Sequence, residues 1–344
     1  MKYKALILVL AGIGILAAIV FFIGPQNIVD AVKLADPWYI ALAIILQFAV
    51  YGLWTWRWSI NIKSVGLSVK KLHLFPMLLV GLAVNNITPS ARGGGEPVRG
   101  YILSKYTASS FEKSFATVIA DRALDTIPFI VLSIITIVAA ASHLNLPRYA
   151  LYSIIIAVVV LAAGFLVLLY MSFNLEFGRR VSIWVTRVIK KFSRKKHSHL
   201  EEKALKAIHS FQNSMRTMGK DKNVLIYGLT LSFLIWFLEI LRVYIIFAAF
   251  NVEVSFLVIA EVFIISTLIG FIPLLPGGLG AVDGLMIILF TAAGIPSSIS
   301  AAATIVERFI SFWMTTLLGL AFLPYFGASV VEKVFKKNKK PVKK

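Results

Sequence analysis

The sequence contains no cysteine, which excludes disulfide bonds, zinc–thiolate centres and cysteine nucleophiles. It is also poor in charge, because only 15% of its 344 residues are Asp, Glu, Lys or Arg, against roughly 25% in a soluble domain. Hydrophobic residues make up 59% of the chain, which is more than a soluble domain of this size can bury. This composition excludes an ordinary cytosolic enzyme and a disordered chain, and it indicates an integral membrane protein.

Motifs of several enzyme classes are missing as well. The sequence holds neither His-Glu-x-x-His nor Gly-x-Ser-x-Gly, and its Gly-rich segments lack the strand context and spacing of a dinucleotide fingerprint. Of the five histidines, only His197 and His199 cluster, and they fall in a basic segment where a solvated surface is expected. We therefore expect no catalytic residue, no metal site and no cofactor.

Apolar runs long enough to cross a bilayer recur along the chain. A hydrocarbon core of about 30 Å requires about 20 residues of helix. The six predicted spans are Ala5–Ile23, Trp38–Trp56, Ala123–Ala141, Ala150–Tyr170, Val224–Phe250 and Ile299–Tyr325. The first run lacks a small-x-small cleavage site before Pro25, so we expect a retained helix rather than a signal peptide.

Two further apolar runs are interrupted by proline and glycine. Leu72–Ile87 leads into the segment 88–97, and Phe256–Ile272 leads into the segment 273–280 before an apolar run resumes. Proline removes a helical hydrogen bond and glycine favours unwound backbone, so each run predicts a re-entrant, broken helical hairpin. The predicted fold is an all-α polytopic membrane protein with six full transmembrane helices and two such hairpins, forming one domain over 1–344.

Basic residues predict the orientation in the cytoplasmic membrane. The loop 171–222 holds 13 Lys or Arg and 4 acidic residues, and the tail 326–344 holds 7 Lys and one Glu, which indicates that both are cytoplasmic. Only Lys33 and Arg148 are basic in the loops predicted on the other side, which are 24–37, 142–148, 251–254 and 295–298. Both termini are then cytoplasmic, and the net charge of +19 reports orientation rather than binding to nucleic acid.

The two hairpins match each other landmark by landmark. The interval from Pro89 to Pro276 is the same as the interval from Glu96 to Asp283. Asp121-Arg122 and Glu307-Arg308 are separated by nearly the same interval. The unit of span, hairpin and span therefore occurs twice: repeat A (38–141) is the first copy and repeat B (224–325) is the second copy. Because the predicted topology makes the copies opposite in orientation, we expect an inverted repeat with a two-fold axis in the membrane plane, which is typical of transporters.

Ionisable residues lie within or beside the apolar runs, where each costs roughly 2.5–3.5 kcal/mol at a helix centre. The candidates for gating or coupling are Glu96, Asp121, Arg122, Asp125, Glu239, Arg242, Asp283, Glu307 and Arg308. Structural pairing is the alternative: Asp121 or Asp125 with Arg122 or Arg92, and Glu307 with Arg308 or Arg242. Either way, so many charges favour a polar cavity between the hairpins.

The hairpin tips offer a site for an anionic headgroup. A half-helix that begins near Glu96-Pro97 presents free backbone N–H groups, and Arg92 and Arg99 can make forked contacts with phosphate oxygens. The candidate substrate-binding residues are Asn86, Pro89, Arg92, Gly93, Gly94, Gly95, Arg99, Pro276, Gly277, Gly278 and Gly280. Glu96 and Asp283 are expected either to cap their own helices or to bind a coupling cation or proton.

These motifs resemble a known family over nearly the whole chain. The pattern Asn86-x-x-Pro89-x-x-x-Gly93-Gly94-Gly95-Glu96-x-x-Arg99, with the later Pro-Gly-Gly-Leu-Gly-x-x-Asp segment, resembles the transmembrane region of the lysylphosphatidylglycerol synthase family. The resemblance implies a flippase-like domain. In the multiple peptide resistance factors of that family this region moves aminoacylated lipid across the membrane, and a separate cytoplasmic domain makes the lipid. This sequence stops at Lys344 without that domain.

We therefore expect a lipid flippase or a lipid-linked transporter. Its partners would be membrane lipids, namely an anionic or aminoacylated phospholipid or a polyprenyl-phosphate-linked lipid, and a homodimer is compatible with this function. Two alternatives stay open: a phosphatidylglycerol lysyltransferase-like enzyme of lipid modification or its membrane subunit, and a non-transporting membrane scaffold.

The predicted orientation can be tested with single cysteines, because the chain has none of its own. We expect Asn145→Cys to react with a membrane-impermeant maleimide in intact expressing cells, and Ser198→Cys to react only after the cells are opened. Labelling of Ser198→Cys in intact cells would contradict the predicted topology.

Overall fold

The computed structural model describes residues 20–88, 93–143, 147–174, 198–271 and 275–327, together with the single residues 14, 17, 18, 176 and 180. Its helices are α1 (Pro25–Lys33), α2 (Pro37–Ser64), α3 (Lys71–Ile87), α4 (Glu96–Tyr106), α5 (Phe111–His143), α6 (Arg148–Phe173), α7 (Ser198–Lys220), α8 (Lys222–Ala249), α9 (Phe256–Ile269), α10 (Ala281–Ala292), α11 (Ser297–Arg308) and α12 (Thr315–Phe322). Every element in the described residues is a helix, which confirms the predicted all-α class.

Five helical runs are long and apolar enough to cross a membrane: α2, α5, α6, α8 and the run Ser297–Phe326. They correspond to five of the six predicted spans, and most of the sixth, Ala5–Ile23, lies outside the described residues. Helix α2 continues beyond the predicted end at Trp56 and ends at Ser64. Arg57 and Asn61 therefore lie within the helix, and both are buried. The chain is therefore a multi-pass α-helical membrane protein.

Each predicted hairpin consists of two short helices separated by a break. Helix α3 ends at Ile87 and α4 begins at Glu96, the predicted start of the half-helix. In the second hairpin, α9 ends at Ile269 and α10 begins at Ala281, after a single 3-10 turn. The glycines of this second break have positive φ angles, 55° at Gly277 and 78° at Gly280. An L side chain rarely adopts such a backbone, so glycine is needed at these positions.

Helices α2 and α8, the first helices of the two copies, pack side by side. Arg57 on α2 donates a hydrogen bond to Ser232 on α8, and Arg242 on α8 donates one to Gln47 on α2. Residue numbers rise along one helix as they fall along the other, so the two helices are antiparallel. Equivalent elements of the two copies therefore run in opposite directions at this contact.

The hairpin of each copy packs against the last helix of the other copy. Helix α3 lies against α12, so closely that a Cβ on Gly319 would collide with the backbone of Leu79. Helix α9 lies in the same way against α5. The two last helices differ in continuity, because α5 runs unbroken past Pro128 whereas the π-helical turn Phe309–Met314 separates α11 from α12. These crossed contacts place the four hairpin helices around one central region.

The close approach of α3 and α4 gives a stability prediction. A Cβ on Gly95 would collide with the carbonyl of Gly81 and lie 3.0 Å from the Oδ1 atom of Asn85. Overpacking of this kind costs typically about 1–3 kcal/mol, so we expect Gly95→Ala to lower the thermal unfolding midpoint in detergent. The control is Gly52→Ala on α2, where no neighbouring atom lies within 4 Å of the new Cβ. Equal midpoints for the two variants would contradict this packing.

Candidate functional site

A cavity of about 130 Å³, with both polar and apolar side chains in its wall, lies between the two copies. Its wall takes side chains from α2, α3, α5, α8, α9, α10, α11, the π-helical turn Phe309–Met314 and α12. The polar and charged residues of the wall are Gln47, Asn85, Asn86, Arg122, Asp125, Glu239, Thr267, Arg242, Glu307, Arg308, Ser311 and Thr315. Its aromatic residues are Trp54, Trp236, Phe263, Phe271 and Phe312. The cavity thus brings together six of the nine charged residues predicted to gate or couple.

In the first copy, Arg57 holds the acidic residues of α5 in place. Its Nε atom lies 2.9 Å from Oδ1 of Asp121, and its Nη1 atom lies 2.7 Å from Oδ1 of Asp125 and 2.8 Å from Oγ of Ser232. Arg57 is buried, so an unpaired charge there would be costly. Because Asp121 and Asp125 stand at positions i and i+4 on one face of α5, a single guanidinium reaches both.

Arg242 has the equivalent role in the second copy. It contacts Glu239 at 2.7 Å and Glu307 at 2.9 Å, and it donates a hydrogen bond to Gln47. The interval from Arg57 to Arg242 equals the interval from Gln47 to Ser232, their cross-copy partners. Each arginine therefore binds an acid of its own copy and a polar residue of the other. Such reciprocity is what a two-fold relation between two surfaces requires.

Arg99, a predicted substrate-binding residue, is turned away from the cavity. Its Nη2 atom lies 3.0 Å from Oδ2 of Asp121, and its guanidinium carbon lies 4.1 Å from the ring centre of Trp58. Arg99 is buried and is not among the residues of the cavity wall. Arg99 is therefore held by residues of the protein interior, Asp121 and Trp58, and not by residues of the cavity wall.

At the second hairpin tip, Asp283 uses both carboxylate oxygens. Its Oδ2 atom accepts a hydrogen bond from the backbone N–H of Gly280 at 2.6 Å, so Asp283 caps its own helix. Its Oδ1 atom accepts from Nε of Arg308 at 2.7 Å. Arg308 also donates to the carbonyl of Gly277 at 3.1 Å, which fastens the unwound segment to α11.

The equivalent acid of the first tip, Glu96, is held much more loosely. Its Oε1 atom accepts one hydrogen bond, from the side-chain amide of Asn85 at 3.2 Å. Among the described residues, its buried Oε2 atom has no hydrogen-bond partner. The backbone N–H of Gly95 donates to Asn85 instead, at 2.6 Å, so Asn85 provides the cap that Asp283 provides in the second copy.

Arg122 is the arginine of the cavity that faces open space. Its side chain is 32% exposed, and its nitrogens lie 4.0 Å from both Glu96 and Asp125, too far for hydrogen bonds. Its guanidinium donates no hydrogen bond to any other described residue. Arg308, the matching residue of the second copy, is 9% exposed and donates hydrogen bonds from Nε to Asp283 and from Nη2 to Gly277.

The ion pairs differ in part from the pairing alternatives of the sequence. Asp121 pairs with Arg57 and Arg99 rather than with Arg122, because α2 and α4 supply closer guanidinium groups. Of the two partners considered for Glu307, the structure selects Arg242. The other, Arg308, is drawn to the cap of α10 instead.

The remaining predicted substrate-binding residues fall in three groups. Asn86 donates to Oγ1 of Thr316 at 2.9 Å and so ties the first hairpin to α12. Pro89 and Arg92 lie outside the described residues. The glycines of the first tip range from exposed to buried along Gly93, Gly94 and Gly95, whereas Pro276, Gly277, Gly278 and Gly280 are all buried.

Four residues of this network were not among the predicted site residues: Gln47, Arg57, Asn85 and Ser232. The repeat carried the signal for the first arginine, since Arg57 precedes the candidate Arg242 by nearly the interval that separates Glu96 from Asp283. The uncharged partners give no such signal, because a Gln, Asn or Ser in a span is common and its partner lies far away in sequence.

Comparison with known proteins assigns the chain to a family. Residues 9–319 match the family described as Lysylphosphatidylglycerol synthase TM region. A UPF0104 membrane protein of Methanothermobacter thermautotrophicus is 54% identical, with 98% of this chain and 100% of the relative covered. One of Methanocaldococcus jannaschii is 30% identical over 98% of this chain and 97% of its own length, and one of Pyrococcus horikoshii is 29% identical over 92% and 95%. The chain belongs to the family of the lysylphosphatidylglycerol synthase transmembrane region.

Proposed function

We propose that the protein is a lipid flippase or lipid-linked transporter that moves an amphiphile with a phosphate-bearing headgroup across the cytoplasmic membrane. One observation carries the proposal: the guanidinium of Arg122 faces the central cavity and makes no hydrogen bond to another described residue. A guanidinium presents its N–H donors as a fork that matches two phosphate oxygens. In apolar surroundings, donors left open in this way favour an anionic ligand.

The surroundings of Arg122 suit a headgroup that enters and leaves again. Its two acidic neighbours lie 4.0 Å away, which is close enough to offset its charge and too far to occupy its donors. The ring of Phe271 lies 5.5 Å from its guanidinium carbon and provides an apolar side to the site. By contrast, Arg57, Arg242 and Arg308 all make hydrogen bonds at 2.9 Å or less, and they are proposed to be structural supports.

The antiparallel, reciprocal contact of α2 and α8 supports two copies inserted in opposite orientations. In this proposal both hairpins are re-entrant, the first from the cytoplasm and the second from outside, and both chain termini are cytoplasmic. Transporters built from inverted repeats bind their cargo between the copies and open alternately to the two sides. The cavity lies at that interface, with charged residues of both copies in its wall.

The size of the cavity favours a closed state of such a cycle. Pockets for small ligands usually measure about 300–1,000 Å³, whereas this cavity has about 130 Å³. It has room for a phosphate group or a few waters, but a complete headgroup requires the hairpins to separate. The looser first tip, with Glu96 and Arg122 at 4.0 Å, is proposed to move first, since Asp283 and Arg308 are bonded at 2.7 Å.

Replacement of Arg122 tests the proposal. We expect Arg122→Gln to slow the movement of NBD-labelled phosphatidylglycerol in proteoliposomes by at least about tenfold, because a set of charge-assisted hydrogen bonds is lost. The readout is the fraction of NBD that dithionite can reach over time, at matched density of folded protein. Arg148→Gln is the matched control, since Arg148 is exposed at the start of α6 and should leave the rate unchanged.

The other outcomes separate the alternative functions. Equal rates for wild type and Arg122→Gln would contradict the proposed site. Conversion of the labelled lipid into a new covalent product would favour an enzyme of lipid modification. If the wild type neither moves nor modifies the labelled phosphatidylglycerol, this phospholipid is not the cargo and the result favours a non-transporting membrane scaffold.

A further inference from the structure

We propose that Glu96 is a proton-binding site, and that its protonation releases Arg122 to bind the anionic headgroup. The second half of this statement rests on the proposed function; the first half does not. The two groups face each other at 4.0 Å between α4 and α5, beside the central cavity. Binding of a proton to Glu96 would then favour binding of an anion to Arg122, and the reverse.

The contacts of Glu96 stabilise a carboxylate poorly. The side chain is 7% exposed, and its Oε1 atom receives one hydrogen bond at 3.2 Å, from a neutral amide. Its Oε2 atom is buried and has no hydrogen-bond partner among the described residues. Buried polar atoms are usually paired, and an ionised carboxylate with an orphaned oxygen is more costly than a neutral carboxyl.

The neighbouring acids are all better satisfied as anions. Asp121 uses one oxygen for Arg57 and the other for Arg99, at 2.9 and 3.0 Å. Asp125 receives a charged hydrogen bond of 2.7 Å from Arg57. Asp283, which occupies the equivalent position in the second copy, has both oxygens bonded. Glu96 is therefore the acid of this group that gains a proton with the smallest loss of contacts.

Among the described residues, which do not include Arg92, the charges around Glu96 balance before a ligand arrives. Helix α5 presents Arg122, Asp121 and Asp125, while α4 itself contributes Arg99 and α2 contributes Arg57. Counted together with Glu96, these groups are three cations and three anions. Helix α3 adds only the neutral Asn85, since its own Lys71 and His73 lie near its other end, roughly 18 Å along the helix. A phosphate diester would add one negative charge, and one proton restores neutrality.

A proton fits this position better than a metal ion. Ca²⁺ takes six to eight oxygen ligands, whereas Glu96 offers one open oxygen beside the N–H donors of Asn85 and Arg122. In the part of the chain that the structure describes, no three His, Asp or Glu side chains converge on a metal-sized site. Adding a proton turns the carboxylate into a neutral carboxyl whose O–H can donate a hydrogen bond.

The proposed cycle conserves charge and protons. A proton from the aqueous phase on the entry side binds Glu96, Arg122 loses one of its two acidic neighbours, and the headgroup phosphate takes that place. When the headgroup leaves on the other side, Arg122 returns to Glu96 and the proton departs to that side. Each ligand therefore strengthens binding of the other by the same factor, as linkage requires.

Infrared difference spectroscopy tests the proton site without any transport. The spectra compare wild type, Glu96→Gln and Glu253→Gln in detergent while the pH is lowered; Glu253 is exposed and serves as the matched control. We expect a high-frequency C=O band of a weakly hydrogen-bonded carboxyl in wild type and Glu253→Gln, and its loss in Glu96→Gln. If Glu96→Gln does not fold, Glu96→Asp replaces it and should shift the band. A band unchanged by either variant, or absent from wild type, would overturn the proposal.

Proteoliposomes with a pH gradient test the coupling. NBD-labelled phosphatidylglycerol is the probe, and we expect wild type and Glu253→Gln to accumulate it towards the alkaline side, and Glu96→Gln to lose this response. Lipid movement that ignores the gradient would overturn the coupling but leave the flippase function standing. An infrared band that depends on Glu96, with no lipid movement at all, would refute the flippase function and leave the proton site standing.

Discussion

The cost of placing charges inside a membrane-spanning fold dominates this structure. Each unpaired ion would cost a few kcal/mol, and in the part of the chain that the structure describes each buried guanidinium lies against a carboxylate. Arg57 and Arg242 solve the problem in the same way, since each binds an acid of its own copy and a polar side chain of the other. These bonds fix the antiparallel contact of α2 and α8. The positions of α5 and α11, and hence the cavity, follow from it.

The two copies share this plan but differ at their hairpin tips. Asp283 caps its helix and binds Arg308 tightly, whereas Glu96 and Arg122 face each other without a hydrogen bond. The Asp283–Arg308 pair is closed and the Glu96–Arg122 pair is open, so we expect the first hairpin tip to move more easily than the second. We propose that this open pair supplies a cation for the headgroup phosphate and an acid for a proton. We therefore propose a functional role for Glu96 and Arg122, where the two copies differ. We propose structural support for Arg57 and Arg242, where the two copies agree.

The sequence predicted whatever depends on local pattern. Apolar length located five described spans, and the Pro and Gly segments located both helix breaks, including the start of α4 at Glu96. Partners on different helices could not be predicted, because spacing along one helix does not determine which neighbour it meets. Arg57 lay just beyond a predicted span and resembled a boundary residue, yet α2 continues and buries it. Arg99 was predicted to bind the headgroup, and its contacts with Asp121 and Trp58 were not predicted.

We propose that Arg122 binds the headgroup phosphate between the two copies. The most direct test is an electron cryo-microscopy structure of the protein in nanodiscs that contain phosphatidylglycerol, at a resolution that shows ordered lipid. We expect phosphate density within hydrogen-bond distance of the Arg122 guanidinium, in a cavity larger than about 130 Å³, with the hairpins further apart. Lipid ordered only along the outer apolar surface, with Arg122 bonded to Glu96 in every class of particles, would contradict it.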